Sequence, residues 1–218
     1  MCQVRWPLDC KGVVRESLLT MRHVALLRGI NVGGAKRLAM GDLRRIAESI
    51  GWRDVATMLA TGNLIFTRPR GASADGGRLA ARLERALQHE LSLTVRVVVL
   101  SAAEVETVIR EQPFGASVDN PSRLLVSAYL DVKARVALAP LTKMDWSPGA
   151  LALGTHAAYL WCPDGILATP LVEAVARATR DGLTSRNWAT WGKVGTGVIS
   201  TETRELGTGL SSGKRPLR

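Results

Sequence analysis

The chain has no run of about eighteen apolar residues, so no segment is long enough to cross a membrane as a helix. Its first twenty residues hold no continuous apolar stretch of the kind that marks a secretory signal. Cysteine is scarce. Cys2, Cys10 and Cys162 are widely spaced and form no CxxC pair, a pattern expected of reduced thiols in a cytoplasmic protein and not of a disulfide scaffold. The three histidines, His23, His89 and His156, stand alone, without HExxH or a His–Cys cluster, so no metal site is expected. There is no Gly-x-Ser-x-Gly elbow and no cysteine beside a suitable histidine. Asp42 and Glu48 fall on different faces of one expected helix and make no carboxylate pair. The common hydrolytic chemistries therefore have no carrier in this sequence, and no cofactor motif is present. An enzymatic role is neither supported nor dismissed by these absences.

What is present is core material and positive charge. Hydrophobic residues make up 46% of the 218, enough for one large domain or two small ones. The net charge is +10 and unevenly placed. Residues 22–100 carry 13 Lys and Arg against 6 Asp and Glu, whereas residues 101–180 carry 7 against 8. A basic first half facing a neutral second half suits a polyanionic partner. The bland alternative is compositional, since 23 of the 29 cations are arginine.

The periodicities organise the chain. Residues 22–30 read as a strand, and Leu43, Ile46, Ala47 and Ile50 as a helix stopped by Gly51. Residues 55–59 and 64–67 read as a hairpin around Thr61-Gly62-Asn63. Leu79, Leu83, Leu87 and Leu91 give a second helix, and residues 95–100 a buried strand. Strand, helix, strand, strand, helix, strand is the split βαβ, or ferredoxin-like, order. It predicts a four-stranded antiparallel sheet with two helices on one face. Ser101-Ala102-Ala103-Glu104 is a capping box that opens a further helix and a second unit. Residues 124–130, 150–153 and 157–161 are strand-like, residues 132–142 are weakly helical, and Pro170 suits a first helical position. The expected division is an N-terminal extension over 1–21, a ferredoxin-like subdomain over 22–100, a second α+β subdomain over 101–194, and a disordered tail over 195–218. The tail assignment rests on its Gly, Ser and Thr content and lost periodicity. Met21 begins a clearer pattern than Met1 does.

The most distinctive stretch is Arg28-Gly29-Ile30-Asn31-Val32-Gly33-Gly34-Ala35-Lys36-Arg37, between the first strand and the first helix. Glycine lets backbone N–H groups approach a ligand, and neighbouring cations favour an anion such as phosphate. The segment is neither a Walker A motif nor GxGxxG. A plain turn that lets strand and helix pack closely explains the glycines equally well, but not Asn31 and the cations. Candidate ligand contacts are Arg28, Asn31, Gly33, Gly34, Lys36 and Arg37. The hairpin adds Thr61 and Asn63, although Asn beside Gly is most often only a turn. Arg186, Asn187 and Trp188 form a polar-aromatic cluster suited to a phosphate and a base. The competing reading, a helix start with Asn187 or Ser185 capping and Trp188 and Trp191 buried, carries more weight. Arg78, Arg82 and Arg85 share a helix face, more simply read as solvated.

Three of these segments together resemble a known family. They are the long LRGINVGG stretch within residues 24–66, the Gly62-Asn63 hairpin, and Arg186-Asn187-Trp188. The pattern is similar to the uncharacterised bacterial family called domain of unknown function 1697, over roughly residues 22–194. The resemblance implies an α+β fold of two ferredoxin-like subdomains with antiparallel sheets. It carries no catalytic or binding residue across. The chain departs from the family at Ala60-Thr61, where a Gln-Ser type pair is commoner, and at Ser185, where Thr is usual.

Three functions remain open on the sequence. The favoured one is a binding module for a phosphate-bearing ligand, a nucleotide or a nucleic acid, through the basic Gly-rich loop. The second is a small enzyme acting on an anionic metabolite, for which no general base is identifiable. The third is a protein-interaction module or oligomer in which free sheet faces pair. The sequence does not fix the oligomeric state.

Overall fold

The computed structural model describes residues 22–31 and 37–199. Eight strands and six helices alternate along it. The first half runs β1 (Arg22–Leu27), α1 (Met40–Ser49), β2 (Arg53–Met58), β3 (Asn63–Thr67), α2 (Gly76–Leu91) and β4 (Val97–Ser101). A connecting helix, α3 (Ala102–Arg110), leads to β5 (Leu124–Tyr129), α4 (Val132–Leu138), β6 (Ala150–Leu153), β7 (Ala157–Trp161), α5 (Pro170–Thr179) and β8 (Leu183–Asn187). The last helix is α6 (Trp188–Ile199).

Each half builds a four-stranded antiparallel sheet. The orders are β2-β3-β1-β4 and β6-β7-β5-β8, so the second sheet repeats the first strand for strand. This is the α+β arrangement that the order of periodic segments predicts. The central strands are apolar along their whole length because both faces are covered. In β1, Val24 and Leu26 point to one side, with Ile65, Val98 and Leu100. Ala25 and Leu27 point to the other, with Leu64, Phe66 and the Leu79, Leu83 and Leu87 stripe of α2. The alternation recurs in the second sheet: Val126, Ala157 and Tyr159 face inward, while Ala158 and Leu160 meet Leu171 and Val175 of α5.

The inner faces of the sheets meet directly at one end, where Arg186 of β8 donates to Asn63 of β3 at 2.6 Å. Elsewhere α3 and α6 lie between them, contributing Val105, Val108, Trp191, Val194 and Val198 to one shared core. Tyr159 Oη donates to the carbonyl of Val108 at 2.7 Å, and the indole of Trp191 donates to Val126 O at 3.2 Å. The capping box forms as expected. Ser101 Oγ accepts from Glu104 N, and the Glu104 carboxylate accepts from Ser101 N at 2.7 Å.

One boundary differs from expectation. Residues 195–199, assigned to a disordered tail, continue α6, with Gly195 and Val198 buried. Glycine weakens an isolated helix by about 1 kcal/mol per residue, which is why this stretch reads as loop. Here the glycines permit close packing. A Cβ on Gly195 would stand 2.5 Å from Ile109 Cδ1, and one on Gly197 would stand 2.4 Å from Ile65 Cδ1. The expected N-terminal extension and residues 200–218 of the tail lie outside the described residues. Among the described residues no helix is long and apolar enough to cross a membrane, and no His, Cys, Asp and Glu cluster could hold a metal ion.

Candidate functional site

The chain leaves β1 through two left-handed residues, Gly29 at φ +64° and Asn31 at φ +56°. Asn tolerates this region because its short side chain bonds locally. Asn31 does so thoroughly. Its amide oxygen accepts from Leu38 N at 3.0 Å, and its amide nitrogen donates to Leu38 O at 3.0 Å and to Ala60 O at 2.6 Å. The side chain therefore pins the base of the loop, joining residue 31 to residue 38 and both to the β2–β3 hairpin. Val32, Gly33, Gly34, Ala35 and Lys36, among them the candidate contacts Gly33, Gly34 and Lys36, lie outside the described residues. Arg37 is exposed at the far end of that span. An open depression beside Asn31, Arg37, Leu38 and Ala39 leads to the start of α1. Ala39 is the N-cap residue of α1 and makes no side-chain cap.

The hairpin lies at the same end of the sheet as this loop. Leu27 N donates to Gly62 O at 2.9 Å, because the antiparallel pairing of β1 with β3 puts the end of one beside the start of the other. Gly62 is required there: it sits at φ +74°, and a Cβ would meet Leu27 Cβ at 2.9 Å. Asn63 is fully buried, donating to Met58 O at 2.9 Å and to Thr61 Oγ1 at 3.1 Å.

Arg186 joins this cluster from β8. Its Nε donates to Asn63 Oδ1 at 2.6 Å, and Nη2 donates to Leu27 O and Thr61 O, both at 2.8 Å. Nη1 donates to Ser185 O at 2.8 Å and to Thr184 Oγ1 at 3.2 Å. Burial pulls the guanidinium pKa down to about 10. Among the described residues no carboxylate pairs with it, so its charge is balanced by carbonyl dipoles. Every nitrogen is engaged with the protein, which makes Arg186 a joint between the halves.

Arg28 makes the reciprocal joint. Its Nη1 donates to Leu183 O, and its Nη2 contacts Asp181 Oδ1 at 2.9 Å and Arg180 O at 3.4 Å. Asn187 caps α6, its Oδ1 accepting from Thr190 N at 3.0 Å and from the Thr190 hydroxyl at 2.8 Å. Trp188 packs against the shared core, and its amide donates to Pro121 O at 3.1 Å. The structure thus gathers Arg28, Asn31, Thr61, Asn63 and Arg186 around one end of the first sheet; Thr61, Asn63 and Arg186 bond to one another, while Asn31 is tied to Leu38 and Ala60 and Arg28 to the Arg180–Leu183 segment. Asn187 and Trp188 serve the helix start. Sequence reasoning did not single out Ala39 or the Arg180–Asp181 turn. An uncapped helix start and an arginine at positive φ are the signals that expose them, and only the second is wholly invisible in sequence.

The family model described as protein of unknown function (DUF1697) matches residues 21–159. Among solved structures, a conserved bacterial protein from Streptococcus pneumoniae superposes with a TM-score of 0.68 at 21% identity, covering 81% of this chain and 98% of that one. At that identity the likeness is one of fold. No curated protein matches the chain.

Proposed function

The chain belongs to this family of proteins of unknown function, and from that premise we propose that it binds a phosphate-bearing ligand, a nucleotide or a nucleic acid, at the start of α1. One observation carries the reading: an open depression flanked by the exposed Arg37 leads to a helix N-terminus whose cap residue, Ala39, supplies no side-chain acceptor. First-turn N–H groups left without a side-chain cap favour an anion, and the helix dipole adds to the attraction. Asp42, the acidic residue of that turn, is turned to Arg45 at 3.5 Å. Lys36 adds a second cation in sequence, and Gly33 and Gly34 allow close backbone approach. In this reading Asn31 shapes the loop base, while Arg28, Asn63 and Arg186 are scaffold.

Calorimetric titration with mononucleotides and with short RNA and DNA at several salt concentrations tests the proposal. A nucleic-acid ligand should lose affinity steeply with salt through counterion release, and a mononucleotide much less. Arg37→Ala removes one exposed charge, worth about 1 kcal/mol or roughly fivefold in Kd. Gly33→Val should cost more, because it obstructs the backbone itself. Absence of binding at millimolar ligand overturns the reading.

A further inference from the structure

A second recess lies on the opposite half, between the outer face of the second sheet and α5. It is a cleft of about 90 Å³. Its walls include Leu125, Leu160, Val172 and Val175, and its floor holds Ser127, which is 1% exposed. Ser127 Oγ lies 2.7 Å from Ser185 Oγ. Two hydroxyls bring two O–H donors and this bond engages one, so a donor remains for a guest in an otherwise apolar slot.

The mouth is charged. Arg28 and Arg180 both line it. Arg28 is paired with Asp181 at 2.9 Å. Among the described residues the Arg180 guanidinium has no hydrogen bond or ion pair. The mouth therefore carries one uncompensated positive charge. Arg180 is also held at φ +50°, ψ −110°. Gly182 N donates to Thr179 O at 2.8 Å, closing a four-residue turn around it. Those angles are close to the first central position of a type II′ turn, where glycine is the normal occupant. An arginine there stores strain in a place where glycine would fold more easily. Strain of this kind gathers at ligand clamps.

The geometry points to a binding site for a short-chain carboxylate. The apolar chain would enter the cleft, and the carboxylate would meet the Arg180 fork and the Ser185 hydroxyl at the mouth. The cleft is small beside the few hundred Å³ of an ordinary ligand pocket, which favours a short chain over a long one. A single net charge at the mouth suits a monoanion, and a flat guanidinium suits a carboxylate. The cleft is separate from the depression at α1, so this inference does not rest on the phosphate reading.

Calorimetry or ligand-observed NMR of the whole protein with acetate, butyrate, isovalerate and octanoate tests it, with isovaleramide as the neutral isostere. Affinity should peak at butyrate or isovalerate and fall at least tenfold for the amide. Arg180→Gly should lower isovalerate affinity about tenfold while raising the melting temperature by about 2–4 °C, since glycine relieves the strain. A merely structural Arg180 would not separate those two readouts. Val172→Trp, at the half-buried wall, should block the acid without disturbing the buried core. Arg37→Ala should leave isovalerate binding unchanged. The inference fails if none of the acids binds at tens of millimolar, if the amide binds as well as the acid, or if Arg180→Gly retains wild-type affinity.

Discussion

Replacing Arg186 with methionine would keep the apolar stem and remove every donor. Leu27 O, Thr61 O and Asn63 Oδ1 would lose their charged partner, and Leu27 O would keep only the Thr184 hydroxyl at 3.4 Å, too long to replace it. Each buried acceptor left unpaired costs about 1–3 kcal/mol. One term opposes this. The guanidinium is desolvated enough that its pKa falls from 12.5 to about 10, and removing it returns about 3 kcal/mol. Three acceptors at mid-range outweigh that, leaving a net loss of about 3 kcal/mol. For a chain of this size the melting temperature should drop by about 6–12 °C. Arg186→Lys separates charge from geometry. An ammonium keeps the desolvation cost but cannot span three acceptors set for a planar fork, so it should destabilise at least as much as methionine. Urea unfolding followed by tryptophan fluorescence reads both variants. A methionine variant within about 1 kcal/mol of wild type, or a lysine variant that restores wild-type stability, would refute the assignment of Arg186 as a joint between the halves.

Gly76→Ala should destabilise by at least about 2 kcal/mol, although alanine is the better helix former, because the new Cβ would sit 2.4 Å from the backbone oxygen of Val99; a thermal melt that rises shows the reasoning wrong. Glu111 accepts from the Thr155 hydroxyl at 2.6 Å and from its amide at 2.7 Å, and these bonds hold its carboxyl below the ordinary 4.5. A carboxyl whose pKa is lowered on folding adds stability above pH 4.5 that is lost as pH falls through the lower folded value. Glu111→Gln should therefore flatten the acid limb of the stability curve, measured by urea midpoints between pH 6 and about pH 3.

Much of the architecture is legible locally. The apolar run in residues 24–27, the leucine stripe of α2 and the capping box at Ser101 each report an element, a face or a boundary through residues a few positions apart. The order of those segments is enough to imply a ferredoxin-like sheet, since few chain paths connect it. The repeat of that topology in the second half was harder to see, because the halves share a path and not a residue pattern. α6 is only partly legible in the sequence for a related reason. Propensity penalises Gly192, Gly195 and Gly197, yet tertiary packing against Ile109 and Ile65 makes two of those glycines useful.

The candidate site divides along the same line. Sequence alone determined where the cations and glycines fall, that a strand and a helix flank them, and that no familiar catalytic set is present. The tertiary structure decided what each polar side chain does. Arg186 reaches Leu27 across 159 positions, and Arg28 reaches Leu183 across 155. No local pattern records a partner that distant. An arginine bonded to backbone carbonyls and an arginine waiting for a ligand are the same letter, and only the acceptors folded around the guanidinium distinguish them.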